Sequence, residues 1–173
     1  MRMATRAIHA GQKPDPVTGA VNVPIYMTST YSQSEQEEYV YGRGDNPTRE
    51  ALEGSLAALE EGTQGLAFAS GMAAITTVMT LLKKGDHVVV ADNVYGGTYR
   101  LFRQVMEDFG VSFDFVDMTD RGNAEAAIRE DTRMLWAESP TNPLLKVVDL
   151  KALGDLGKER GVYTVVDNTF ASP

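Results

Sequence analysis

Cysteine is missing from this 173-residue chain. Its absence excludes disulfides, thiolate nucleophiles and cysteine-held iron–sulfur clusters, and it suits a reducing compartment. Histidine is scarce: His9 stands in a polar arm and His87 at the edge of an apolar strand, so ligand supply argues against a metal site. No apolar run approaches the ~20 residues that a membrane span needs. The start, Met1 to His9, is too polar for a secretory signal, so the sequence reads as cytoplasmic with no membrane partner. Positive charge is in deficit as well. A formal net charge of −8 argues against nucleic acid as a partner. Neither a G-x-G-x-x-G run nor a P-loop lysine occurs, which counts against a nicotinamide-dependent dehydrogenase or a P-loop enzyme.

What is present is ordinary in bulk: 43% hydrophobic and 23% charged residues, enough for a sizeable core. Residues 1–45 read as an extended arm with little regular structure. Pro14, Pro16 and Pro24 break its periodicity, and Glu35, Glu37 and Glu38 form an acidic cluster. Val23, Ile25, Tyr26, Tyr31 and Tyr39 make the arm too apolar for a disordered tail, so it should lie on another surface.

From residue 46 onward helix and strand signals alternate. Asn46 and Pro47 open a helix carrying Leu52, Leu56 and Leu59, which Gly62 stops. Leu66 to Phe68 reads as a short buried strand, followed by an apolar helix over 71–82. Val88 to Val90 is a strand, 97–109 a helix closed by Gly110, and 111–115 a strand. A short helix over 124–128 and a strand over 134–136 come next. Asp149 then caps a helix ended by Gly161, and 162–166 is a last, buried strand. Such alternation, with strands apolar on both faces, predicts an α/β fold: a mostly parallel sheet covered by helices.

Three segments fall where strands should end, the place where open α/β sheets gather ligands. Ser70-Gly71-Met72 offers a phosphate the free amides of a helix start, though it reads equally as a plain serine cap with a packing glycine. Tyr95 presents a ring beside Gly96 and Gly97, which leave room for a flat ligand; an incidental surface turn is the other reading. Asp167 ends an apolar strand, where a carboxylate is costly unless something neutralises it. A protonated ring nitrogen would do so; a plain helix N-cap or a buried Asp–Arg pair is the other reading. Asn142, between Pro140 and Pro143, could bond a ring substituent from a rigid turn. Tyr41 and Arg43, just ahead of the first long helix, could reach a phosphate.

In this order the segments resemble the N-terminal part of the pyridoxal-phosphate-dependent trans-sulfuration enzymes: cystathionine γ-synthase, cystathionine γ-lyase and methionine γ-lyase. The resemblance runs from Thr5 to Gly11 through Tyr41 to Thr48, Phe68 to Ala74, Val94 to Phe102, Glu138 to Pro143 and Val165 to Pro173. It implies the large domain of the fold-type I enzymes, with residues 46–173 as its N-terminal part. It also implies carbon–sulfur chemistry at the γ-carbon of a sulfur-containing amino acid and assembly as a homotetramer. Carried over residue by residue, Ser70, Gly71 and Met72 would hold the cofactor phosphate. Tyr95 would stack on the ring, Asn142 would lie near its hydroxyl, and Asp167 would pair with its nitrogen. Tyr41 and Arg43 would reach the phosphate of a neighbouring subunit's cofactor. Tyr95 and Asp167 would be the catalytic pair. Tyr95-Gly96-Gly97-Thr98 is closer to the cystathionine enzymes than to methionine γ-lyase, which has cysteine after the first glycine.

One departure qualifies this expectation. In the family the Schiff-base lysine follows the aspartate motif in a Ser-x-Thr-Lys segment, and none of Lys13, Lys83, Lys84, Lys146, Lys151 and Lys158 stands in one. The chain therefore reads as part of a longer, here truncated, enzyme. The alternative is a non-catalytic fragment acting only as a cofactor- or subunit-binding module.

Overall fold

The structure, a computed structural model, describes residues 2–33 and 39–172. The acidic cluster of Glu35, Glu37 and Glu38 lies outside them. The chain divides into two compact units, residues 2–69 and Ser70–Ser172.

In the first unit a helix α1, Met3–His9, stands where the sequence predicts an irregular arm. Arg6 accounts for part of it: its guanidinium reaches the Glu61 carboxylate at 2.7 Å, a tie between distant residues that local patterning does not reveal. Helix α2, Pro47–Leu59, begins as expected, with the Asn46 side chain accepting from the Thr48 amide at 2.9 Å. Asn46 also donates to the Tyr26 carbonyl, and Thr48 to that of Pro24, so this cap anchors the arm to the helix. Leu66 to Phe68 is not a buried strand. It runs extended without a ladder partner, and Leu66 is 64% exposed. An extended segment becomes a strand only when another strand takes up its amides and carbonyls, and among the described residues the Ala67 amide alone is engaged, by Glu53.

The second unit opens with α3, Gly71–Met79, capped by Ser70. It is shorter than expected because its last turn tightens, the Thr80 amide reaching back to Thr77. Strand β1, His87–Ala91, is wholly buried. Helix α4, Gly96–Leu101, passes into a π-helical turn, Phe102–Met106, within the predicted 97–109 helix. Strand β2 (Ser112–Val116), helix α5 (Arg121–Ala127), strand β3 (Thr132–Glu138), helix α6 (Leu150–Arg160) and strand β4 (Tyr163–Asp167) follow in turn. Gly161 closes α6 at φ +66°, a left-handed conformation that glycine adopts without strain.

The sheet is four-stranded and parallel, in the order β2-β1-β3-β4. Its core gathers Val88, Val89, Val90, Met134, Leu135 and Trp136 with Phe102 and Leu156 from the helices. Strand β4 departs from expectation: Tyr163 is exposed and the rest only half-buried. It has a ladder neighbour on one side alone. The connection from β1 runs to β2 on one side, and that from β3 runs to β4 on the other. The crevice between the carboxyl ends of β1 and β3 is the topological switch point, where ligands of such sheets bind.

Candidate functional site

A cavity of about 370 Å³ opens at that end of the sheet, within the range of small-molecule sites. Ser70, Gly71, Met72, Tyr95, Asn142 and Asp167 all line it, as do Glu138, Ile75 and Phe170. The structure thus brings six of the eight candidate residues together. Tyr41 and Arg43 belong to the other unit, where the Arg43 guanidinium lies 4.6 Å from the centre of the Tyr41 ring.

Each wall follows from a local cause. Ser70 Oγ accepts from the Ala73 amide at 3.1 Å, so the hydroxyl does cap α3. The Gly71 and Met72 amides precede the first intrahelical bond and stay free to face an anion. A Cβ on Gly71 would meet nothing within 4 Å, and Ser70, Gly71 and Met72 all line the cavity. Gly97 has a different purpose from the one its sequence position suggests. Its missing side chain is filled by Tyr95's own ring and by Met72 Sδ, so the tyrosine lies back against the start of α4.

Asp167 is the last residue of β4. Its Oδ1 accepts from the Thr169 amide at 3.1 Å and from the Thr169 hydroxyl at 2.6 Å, which fixes its direction. Among the described residues no lysine or arginine pairs with it. The buried arginine is absent from that set, whereas a capping bond is present in the Thr169 amide. Directly across the ladder from Asp167 stands Glu138.

Glu138 is the residue that sequence reasoning passed over. It is buried, and it accepts the Tyr95 amide at Oε2 and the Asn142 amide at Oε1, both at 2.7 Å. Burial pushes its carboxyl pKa up, the two amides pull it down, and the neighbouring Asp167 adds to the upward push. The only sequence signal was its place at a strand end next to the Ser139-Pro140 turn. Peptide bonds 139–140 and 142–143 are both cis. The loop they shape is held by the Leu144 amide on Asn93 and by Lys146 Nζ, which bonds both Asp92 and Asp117.

Open helix-start amides, an exposed aromatic face and a carboxylate without a cation are what a phosphorylated, protonated aromatic ring requires. The residues therefore fit pyridoxal phosphate. The family model described as Cys/Met metabolism PLP-dependent enzyme matches residues 4–173. The chain belongs to this family. A probable cystathionine gamma-synthase of Herpetosiphon aurantiacus is 58% identical over 173 residues, which cover 98% of this chain and 54% of that protein. A cystathionine beta-lyase of Coxiella burnetii is 55% identical, with 98% and 45% covered. The crystal structure of cystathionine gamma-lyase from Lactobacillus plantarum, complexed with L-serine, matches with a TM-score of 0.96 at 47% identity. That match covers all of this chain and 46% of the other. The chain spans about half the length of the relatives it matches. As a member of a pyridoxal-phosphate family, it shares the fold of that solved structure over its whole length.

Proposed function

We propose that the protein to which this chain belongs makes or breaks a carbon–sulfur bond at the γ-carbon of a sulfur-containing amino acid, as a cystathionine γ-lyase or γ-synthase. The relatives support the substrate class, since their names share cystathionine. The observation that carries the proposal is the Asp167 carboxylate, lining a cavity beside free helix-start amides and bonded to no described cation.

When bound, pyridoxal phosphate supplies an electron sink for the bond-breaking step. This chain's residues bind and orient that group. The amides of Gly71 and Met72, with the Ser70 hydroxyl, hold the phosphate at the α3 start. Tyr95 lays its ring on the cofactor ring and excludes water from that face. Asn142 bonds the ring hydroxyl, and Asp167 holds the proton on the ring nitrogen. Of these, Tyr95 and Asp167 are the catalytic residues. Tyr41 and Arg43 serve the phosphate of a neighbouring subunit's cofactor in a homotetramer. The exposed Ile25 and Met27 of the arm, at 79% and 94%, support burial against another copy. The enzyme works in the cytoplasm, in keeping with a cysteine-free chain; no described helix is long and apolar enough to cross a membrane.

No lysine of this chain is the Schiff-base lysine. Support comes from the cavity, whose lining contains none, and from Lys146 and Lys151, whose ammonium groups are taken by aspartates. The experiment uses the protein expressed from its complete reading frame. Titration with pyridoxal phosphate should give a bound-cofactor absorbance band, and cystathionine should then either release cysteine or form from cysteine and a γ-activated amino acid. Asp167→Asn should keep the fold and lose at least about 100-fold in turnover, the scale of removing one charge-stabilising group. A protein that ignores pyridoxal phosphate, or an Asp167→Asn variant as active as its parent, overturns the proposal.

A further inference from the structure

Resting on the cofactor reading above, we infer that Glu138 is the positioning residue of this site: its single buried carboxylate holds the Tyr95 loop and the Asn142 loop in register across the β1/β3 crevice. The two loops are also tied by the Leu144 amide on Asn93 and by Lys146 on Asp92, but neither bond is made to Tyr95 or Asn142 themselves. One leaves β1 and the other leaves β3, and the aromatic ring and the amide they carry must face the same ligand. Glu138 joins them by backbone, with one oxygen for the amide of Tyr95 and the other for that of Asn142, each at 2.7 Å. Bonds to the main chain fix the loops whatever their side chains do.

The charge state matters. An ionised carboxylate offers an acceptor on each oxygen, whereas a carboxylic acid turns one oxygen into a donor. The charged group that faces Glu138 from the neighbouring strand is Asp167, its ladder partner; from the β1 side only the Tyr95 amide approaches, and from its own loop the Asn142 amide. No described lysine or arginine pairs with Glu138. Burial and Asp167 both favour its protonated form. The clasp is therefore complete only above the ordinary glutamate range.

Glu138→Gln separates clasping from filling, because a carboxamide keeps the shape but has one acceptor. In the cofactor-free protein the variant should speed amide hydrogen exchange at Tyr95 or Asn142 on the order of ten-fold or more, the scale of one charge-assisted bond. Exchange at Val88, Val89 and Val90 should not change. In the parent protein the amide proton resonances of Tyr95 and Asn142 should titrate together, with one midpoint above the ordinary glutamate range. That measurement needs no variant and decides the matter if Glu138→Gln fails to fold. With pyridoxal phosphate added, the variant should bind more weakly and show altered circular dichroism in the cofactor band. Unchanged exchange at both amides, equal loss of protection at Val88–Val90, or separate titration of the two resonances would overturn the inference. Failure of the parent to bind pyridoxal phosphate would sink the cofactor reading alone, since the exchange and titration results need no cofactor.

Discussion

At the residue scale, the two glycines after Tyr95 look alike in sequence and differ in space. A methyl group on Gly97 would enter the Tyr95 ring and come within 2.8 Å of Met72 Sδ, so the aromatic face would be displaced. One on Gly96 would meet only the flexible end of Arg100, at 3.3 Å. Gly97→Ala should therefore cost about 1–3 kcal/mol of overpacking and weaken pyridoxal phosphate binding, while Gly96→Ala should be close to neutral. Urea denaturation and cofactor titration of the two variants check this, and equal behaviour would refute it. Gly71, Tyr95 and Asp167 were legible as candidates because strand-end position and residue chemistry are both written locally. Glu138 was not. Its partner amide on Tyr95 lies 43 residues away, and a carboxylate that bonds only main chain leaves no pattern of side-chain types.

At the scale of elements, the loop after β3 is latched by Lys146 Nζ, 2.9 Å from Asp92 and 3.0 Å from Asp117. Asp117 is held down at about 2, first by the Thr119 hydroxyl, then by the Thr119 amide and by Lys146. A carboxyl whose folded pKa is depressed contributes stability that is present above its unfolded value, 3.8, and lost as the pH falls through about 2. Asp117→Asn should accordingly be less stable than the parent above pH 3.8, with the gap closing as the pH nears 2. Acid titration followed by circular dichroism measures it; a constant gap down to the lower value would contradict the depressed Asp117 carboxyl. Helix starts were readable because Asn46, Ser70 and Asp149 each accept a bond from an amide two or three residues on. The strand expected at 66–68 was not decided by its own residues, since a ladder needs a second chain segment.

For the molecule as a whole, the sheet works as a rigid floor beneath the site. Phe102 is fully buried, stacks on Phe113 at 4.7 Å and meets the Trp136 edge at 5.3 Å, locking the helical segment behind Tyr95 to β2 and β3. Phe102→Ala should cost about 3–5 kcal/mol, read from the shift in denaturation midpoint at unchanged slope. A loss under 1 kcal/mol would mean the segment is not pinned there. Because that floor carries the Tyr95 loop, the same variant should loosen cofactor binding without touching any residue of the cavity.

Periodicity, caps and turn residues by themselves determined the parallel α/β class, the order of its elements from Gly71 onward and the clustering of candidate residues at strand ends. Those features depend on near neighbours along the chain, where propensity and amphipathic spacing act. Only the tertiary structure decided that Gly97 houses the ring of Tyr95 and that Glu138 spans two loops. Each of these depends on which distant segments share a crevice, and sheet order, not local sequence, sets that.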